Sequence, residues 1–175
     1  WQFLAWGKDW EGFVKYGEAY VSKIPVAFDG SCSGLQHYSA MLKDEKVRAT
    51  VNLLPGDKPS DVYAMVAEEV LKAVNHDLEN GMVDELKLVD NKPKFEEGTR
   101  TFARQWLEFG INRKVTKRAV MTLCYGSKQF GFAKQLMEDF IHKARMNEEQ
   151  LPFTGTGKKA SNHLAGKISI TVARI

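Results

Sequence analysis

The sequence predicts an α+β fold that is mainly helical. Three observations carry this reading. Apolar residues recur at three- and four-residue spacing through most of the chain, the period of one helix face. Short runs that read as strands fall in two stretches, 24–28 and 82–96, with the tail from Ser161 fitting either state. Gly, Pro and Asp/Asn positions fall between these segments, where turns and caps need them.

Taken in order, Phe3, Trp6, Trp10 and Phe13 step along one helix face, and core packing is the simplest use of such a stripe. Ile24–Phe28, opened by Pro25 and closed by Asp29-Gly30, reads as a buried strand. Leu35 to Lys43 reads as a helix. Leu53-Leu54-Pro55-Gly56 marks a break, and a soft boundary falls between Pro55 and Pro59. After Pro59-Ser60, Asp61 to Val74 is helical, with Val62, Val66 and Val70 on one face. Residues 76–99 are polar and hold two short candidate strands, Met82–Val89 and Lys92–Glu96, around Asp90-Asn91, which fit a hairpin or a mobile insertion. Thr101 to Phe109 is a helix ended by Gly110. Asn112 caps the next helix, which runs to Leu123 or Tyr125. Lys128 to Ala144 is a further amphipathic helix. Residues 153–160 form a Gly/Lys-rich loop, and the tail from Ser161 fits helix or strand alike.

Composition narrows the function classes. The chain has 175 residues, 43% of them apolar, enough for one sizeable domain or parts of two. The net charge of +3 does not by itself argue for a nucleic-acid partner. The charge is uneven, however. Arg104, Arg113, Lys114, Lys117, Arg118 and Lys128 face only Glu108 between Thr101 and Lys128, and such a local stripe is more informative than a global balance. Cys32 and Cys124 belong to no Cys/His cluster, which argues against zinc and, weakly, for a reducing compartment. No apolar run approaches a membrane span, and no targeting pattern opens the chain. Both ends, Trp1 and the apolar stretch 168–175, read as cuts through a longer protein.

Two constellations carry chemistry. In the first, Asp29 follows the candidate strand and is flanked by Gly30 and Gly34. A strand end is a rigid place for a metal ligand, and Mg²⁺ takes one or two carboxylates plus water and phosphate oxygens. A turn aspartate is the simpler reading of this segment alone. In the second, Arg113, Lys117, Met121 and Tyr125 recur every four residues. On a helix they form a slowly curling stripe roughly 18 Å long. Two cations suit phosphates, and an apolar and a phenolic side chain suit a base and sugar. A solvated basic helix face fits the spacing equally well.

Together the two segments resemble single-subunit RNA polymerases of the bacteriophage type and, more distantly, of mitochondria. Asp-Gly-Ser-Cys-Ser-Gly-Leu-Gln-His-Tyr-Ser-Ala-Met-Leu (29–42) is similar to the first catalytic motif of that family. Arg-Lys-Val-Thr-Lys-Arg-Ala-Val-Met-Thr-Leu-Cys-Tyr-Gly-Ser (113–127) is similar to its fingers-helix motif. Asn52-Leu-Leu-Pro55 and the helix bearing Tyr63 are similar as well. The resemblance implies a partial right-hand polymerase, with 1–57 as a palm segment and 58–175 as fingers. It implies that Asp29 binds two Mg²⁺ ions with help from the Gly30 carbonyl. Arg113 and catalytic Lys117 would hold the triphosphate, with Arg118 adding charge nearby. Tyr63 and Met121 would approach the nucleotide, Tyr125 the sugar, and Gly126 the template base. Related DNA polymerases carry glutamate five residues after the first aspartate, whereas this chain has Gly34, which leaves room for a 2′-hydroxyl. The implied partners are a DNA template, the RNA product and NTPs, in the cytoplasm of a host cell.

The pattern is incomplete. The family draws a second carboxylate from a His-Asp-Ser segment, and none occurs here; His76-Asp77 is followed by Leu78. That carboxylate, the N-terminal domain, the thumb and the rest of the palm are expected outside this sequence, and the isolated chain is not expected to polymerise. Two alternatives remain: a DNA polymerase of the same superfamily, and a non-catalytic nucleic-acid-binding module in which Asp29 is only a turn residue.

Overall fold

A computed structural model describes residues 1–27, 29–90 and 92–174. It divides into two compact units, Trp1–Gly30 and Ser31–Ile175.

The first unit holds one long helix, α1 (Gln2–Tyr16), a 3₁₀ turn (Gly17–Ala19) and an extended segment. Tyr20 folds back to donate to Asp9 Oδ1 at 3.1 Å. Phe3, Trp6, Trp10 and Phe13 do share a face, with ring centroids 5.9, 6.2 and 5.6 Å apart in succession. Yet no residue of α1 is buried, so the core packing read from that stripe does not form. Among the described residues of this unit, no second layer covers the helix face. Nor do residues 24–27 form the expected strand; Phe28 lies outside the described residues. A strand needs a hydrogen-bonding neighbour, and Pro25 lacks one donor.

The second unit contains α2 (Ser33–Leu42), α3 (Val47–Thr50), α4 (Val62–Asn80), β1 (Glu85–Val89), β2 (Lys92–Glu96), α5 (Thr99–Phe109), α6 (Arg113–Leu123), α7 (Gln129–Leu136), a π-helical turn (Met137–His142), α8 (Lys143–Met146) and α9 (Lys158–Val172). α4 is the central element and packs on α5, α6 and α9. Val62, Val66, Val70 and Val74 are all buried along its length. β-branched residues are indifferent helix formers, so tertiary burial rather than propensity sustains this helix. It runs six residues past the expected end at Val74, and Asp77 is buried on it. There Asp77 Oδ2 meets Lys167 Nζ at 2.6 Å, which makes a buried carboxylate tolerable.

α5 lays Phe102, Ala103 and Trp106 into the core, and Trp106 Nε1 donates to the Ala160 carbonyl at 2.7 Å. The 158–172 segment is a helix, not a strand, and it begins inside the stretch expected as loop. The β1–β2 hairpin forms antiparallel around the expected turn, with Leu86 opposite Phe95 and Leu88 opposite Pro93. Its strands are shorter than expected at the first end, where 82–84 stay outside the ladder. The helix expected over 128–144 continues to Met146 and widens into a π turn at 137–142. No helix among the described residues is long and apolar enough to cross a membrane.

Candidate functional site

α6 starts where the sequence calls for it. Asn112 is its N-cap, and its Oδ1 accepts from Lys114 N at 2.9 Å. Val115, Thr116, Ala119 and Val120 turn inward against α4. The opposite face therefore carries Arg113, Lys117, Met121 and, just past the helix end, Tyr125, and all four are exposed. The helical stripe read from the sequence is a real surface feature.

Tyr63 lies beneath its cationic end. The ring is buried on the first turn of α4. Arg113 Cζ sits 5.3 Å and Lys117 Nζ 6.0 Å from its centroid, both within cation–π range. Thr116 Oγ1 donates to the Tyr63 carbonyl at 3.0 Å and ties the two helices at this point. Burial pushes the Tyr63 phenol above its ordinary range, so it stays protonated. Its hydroxyl is 3.4 Å from the Ser31 carbonyl.

The other end of the stripe meets the start of α2. Cys32, Ser33, Gly34, Leu35, Tyr63, Met121 and Tyr125 line a small cleft of about 40 Å³. Gly34 is the tight point. A Cβ there would stand 2.9 Å from Cys124 Cβ and 3.8 Å from the Tyr125 hydroxyl. Any larger residue at 34 would press on the end of α6. Gly126 follows at φ +86°, a left-handed conformation that favours glycine and turns the chain away from the helix.

Asn52 braces this region. At φ +60° its Oδ1 accepts from Ser60 N at 2.6 Å, while Nδ2 donates to the Ser60 carbonyl and to Ser31 Oγ. Asparagine tolerates this backbone better than most residues. Gln36 Nε2 adds a 2.7 Å bond to the Val51 carbonyl. The loop 53–59 and the start of α2 are thereby held together.

The structure brings Tyr63, Arg113, Lys117, Met121 and Tyr125 together and places Gly126 beside them. Arg118 faces elsewhere. Its Nη1 lies 2.8 Å from Asp139 and 3.4 Å from Glu138, on the π turn. One residue along a helix is about 100° of rotation, so Arg118 cannot share the face of Lys117. Asp29 and Gly30 lie in the other compact unit, and Asp29 is exposed. Among the described residues, no cluster of three or more His, Cys, Asp or Glu gathers as a metal site. An Asp carboxylate and a Gly carbonyl are nevertheless hard oxygen donors of the type Mg²⁺ takes, and two protein oxygens leave positions for water and phosphate.

Sequence reasoning missed Asp61. It is the N-cap of α4, accepting from Tyr63 N at 3.0 Å and Ala64 N at 3.2 Å, and its Oδ2 meets Arg113 Nε at 2.5 Å. Burial alone would raise its pKa, but the Arg113 bond and the two backbone N–H groups outweigh that and hold it below the usual carboxylate value. An aspartate directly before the valine stripe was a legible cap signal. Its partner, far along the chain, was not legible.

Residues 1–175 match the family model described as DNA-dependent RNA polymerase. Over 164 residues, 90% of this chain, it is 44% identical to the DNA-directed RNA polymerase of Enterobacteria phage T3 and 43% identical to the T7 RNA polymerase of Escherichia phage T7. Over 138 residues, 78% of the chain, it is 38% identical to the mitochondrial DNA-directed RNA polymerase of Homo sapiens. The chain spans 19% of the length of each of the two phage relatives and 10% of the human one.

Proposed function

The chain belongs to the DNA-dependent RNA polymerase family, and from that premise we propose that it forms part of the nucleotide-addition centre of a single-subunit RNA polymerase acting in the cytoplasm of a host cell. The reaction is DNA-templated transfer of nucleoside monophosphates from NTPs to an RNA 3′ end, with release of pyrophosphate. Residues 1–57 form a palm segment and 58–175 belong to the fingers of a right-hand architecture. The remaining palm, thumb and N-terminal segments complete it.

One observation carries the reading: a single exposed stripe along α6 and just past its end presents two cations, Arg113 and Lys117, suited to a triphosphate, and then Met121 and Tyr125, suited to a base and sugar. Arg113 binds phosphate oxygens through a planar fork, and Lys117 adds a point charge that strengthens as negative charge develops on the leaving group. Arg118 stays on the adjoining face, its charge shared with Asp139 and Glu138. Met121 and Tyr63 border the nucleotide, and Gly126 lets the backbone pass close to the template base. Tyr125 accommodates a 2′-hydroxyl, with no side chain at Gly34 to obstruct it. Asp29 and the Gly30 carbonyl hold Mg²⁺. Two such ions, when bound, supply activation of the 3′-hydroxyl and neutralisation of the pyrophosphate.

The test is a hybrid enzyme in which this chain replaces the matching segment of T7 RNA polymerase. The hybrid is expected to make RNA from a promoter template. Asp29→Asn is expected to lower kcat by at least about 10²-fold, and Lys117→Gln to act on both kcat and KM. Equal use of dNTPs and NTPs by the hybrid would favour a DNA polymerase. Full activity of Asp29→Asn, with salt-dependent nucleic-acid binding lost in Arg113→Gln, would favour a binding module.

A further inference from the structure

Among the described residues, Arg113 is the cation of the stripe that a carboxylate holds. Its Nε meets Asp61 Oδ2, its guanidinium lies over the Tyr63 ring, and among the described residues no protein hydrogen bond engages Nη1 or Nη2. The other Asp61 oxygen, Oδ1, is spent on the first turn of α4, accepting from Tyr63 N and Ala64 N. The carboxylate is therefore anchored to a rigid helix end and is not itself free to follow the arginine. Thr116, one turn further along α6, is bonded to the Tyr63 carbonyl, so the two helix starts are locked to each other beside the pair.

This geometry has a consequence for phosphate recognition. A free arginine surrenders much rotamer entropy when it binds, and immobilising such a side chain costs about 0.5–1.5 kcal/mol, or about a two- to tenfold change in affinity. Here the immobilisation exists before any ligand arrives. The bond uses Nε, the donor that lies beside the stem, and leaves the two terminal NH₂ groups for a bidentate grip on phosphate oxygens. The charge of Asp61 also offsets repulsion between Arg113 and Lys117, which share one aromatic ring.

We propose that Asp61 is a positioning residue for the incoming nucleotide: it holds Arg113 by Nε so that the Nη pair faces the triphosphate. The proposal rests on reading α6 as the nucleotide-binding helix. Asp61 touches neither substrate nor reacting atoms. Its effect is exerted through Arg113, on binding rather than on the chemical step.

Asp61→Asn is the informative substitution, because the amide oxygen can still cap α4 while the charged bond to Arg113 is lost. In the hybrid polymerase, KM for NTP is expected to rise about three- to tenfold with kcat within about twofold, the pattern of lost uniform binding. Combined with Arg113→Gln, Asp61→Asn is expected to add nothing further, because its route of action is gone. A KM that stays constant, a KM that falls because the carboxylate only repels phosphate, or effects that multiply with Arg113→Gln would each overturn the proposal. A second measurement needs no turnover. Binding of inorganic tripolyphosphate to the 175-residue chain, followed by calorimetry, is expected to weaken by a similar factor in Asp61→Asn and more in Arg113→Gln. Equal affinity of the parent and Asp61→Asn would overturn the role of Asp61 whatever the hybrid does. Weakened binding in Asp61→Asn alongside a hybrid that makes no RNA would leave the role intact and overturn the polymerase reading.

Discussion

Two aromatic clusters of the same chain have opposite fates. On α1, Phe3, Trp6, Trp10 and Phe13 form a ladder of stacked and tilted rings along one face and remain exposed, Trp10 at 53%. In the second unit, Trp106 is fully buried among Phe109 and Phe153, and Phe109 continues the cluster to Phe140. Phe3 to Phe13 are helically spaced throughout, whereas in the second cluster only Trp106 and Phe109 share a helix. Trp106 differs in having a lid from elsewhere: Phe153 packs on its ring and the Ala160 carbonyl receives its indole N–H. Periodicity shows that a face is apolar. Only distant segments show whether it is covered.

The largest expected effect tests this contrast directly. Trp106→Ala should destabilise the second unit by about 3–5 kcal/mol, through the cavity and the lost indole bond to the Ala160 carbonyl. Trp10→Ala should shift the same urea transition by less than about 0.5 kcal/mol. Comparable losses for the two would show that the α1 ladder is packed as tightly as the core.

Close packing at Gly34 gives the next effect. Gly34→Ala should cost about 1–3 kcal/mol, because the new methyl meets Cys124 Cβ at 2.9 Å. Cys124→Ala removes Sγ but keeps Cβ, so it should recover only part of that loss in thermal unfolding of the double variant. Full tolerance of alanine at 34 would mean that the cleft beside Tyr125 is looser than the geometry indicates.

Smaller still is the cap. Asp61→Ala should cost about 1 kcal/mol and Asp61→Asn less than half of that. The Asp61 carboxyl titrates below its ordinary 3.8 in the folded chain. Its contribution is therefore complete above pH 3.8 and is lost as pH falls through the lower folded value. Asp61→Asn should flatten the stability profile only in that acid window.

His163 supplies a second window at higher pH. Burial lowers its pKa from 6.5, and Lys167 acts in the same direction; the nearby Asp77 opposes them. Nε2 lies 3.2 Å from Asp77 Oδ2 yet makes no hydrogen bond of good geometry, so burial prevails. The unfolded chain then takes up the proton first, and stability should decline as pH drops below about 6.5, by no more than about 1.4 kcal/mol per pH unit. The decline should vanish in His163→Gln and persist in Asp61→Asn, measured by urea titration at a series of pH values.

The parts of the fold that were legible share one property: their causes are local. Gly110 and Asn112 mark the end of one helix and the start of the next because capping acts within a few residues. The hairpin was legible because a turn pair sits between two short runs. The site was legible to the same degree. Four residues spaced by four lie on one face whatever the surroundings. What failed depended on partners. Residues 24–27 form no strand because no neighbour pairs with them, and the segment from 158 is a helix because Leu164, Ala165 and Ile168 find the core. The pairing of Arg118 with the π turn was likewise invisible, since the turn departs from the regular helix that periodicity assumes.

By itself, then, the sequence determined the start of α4, the Gly110–Asn112 junction between α5 and α6, and the stripe of Arg113, Lys117, Met121 and Tyr125. Local sterics, capping bonds and the 3.6-residue period are enough for these. Tertiary structure alone decided that the α1 aromatics lie open, that Asp77 is buried beside Lys167, and that Asp61 holds Arg113 from 52 positions away. Those outcomes depend on which surfaces exclude water from one another, and no short-range pattern encodes that.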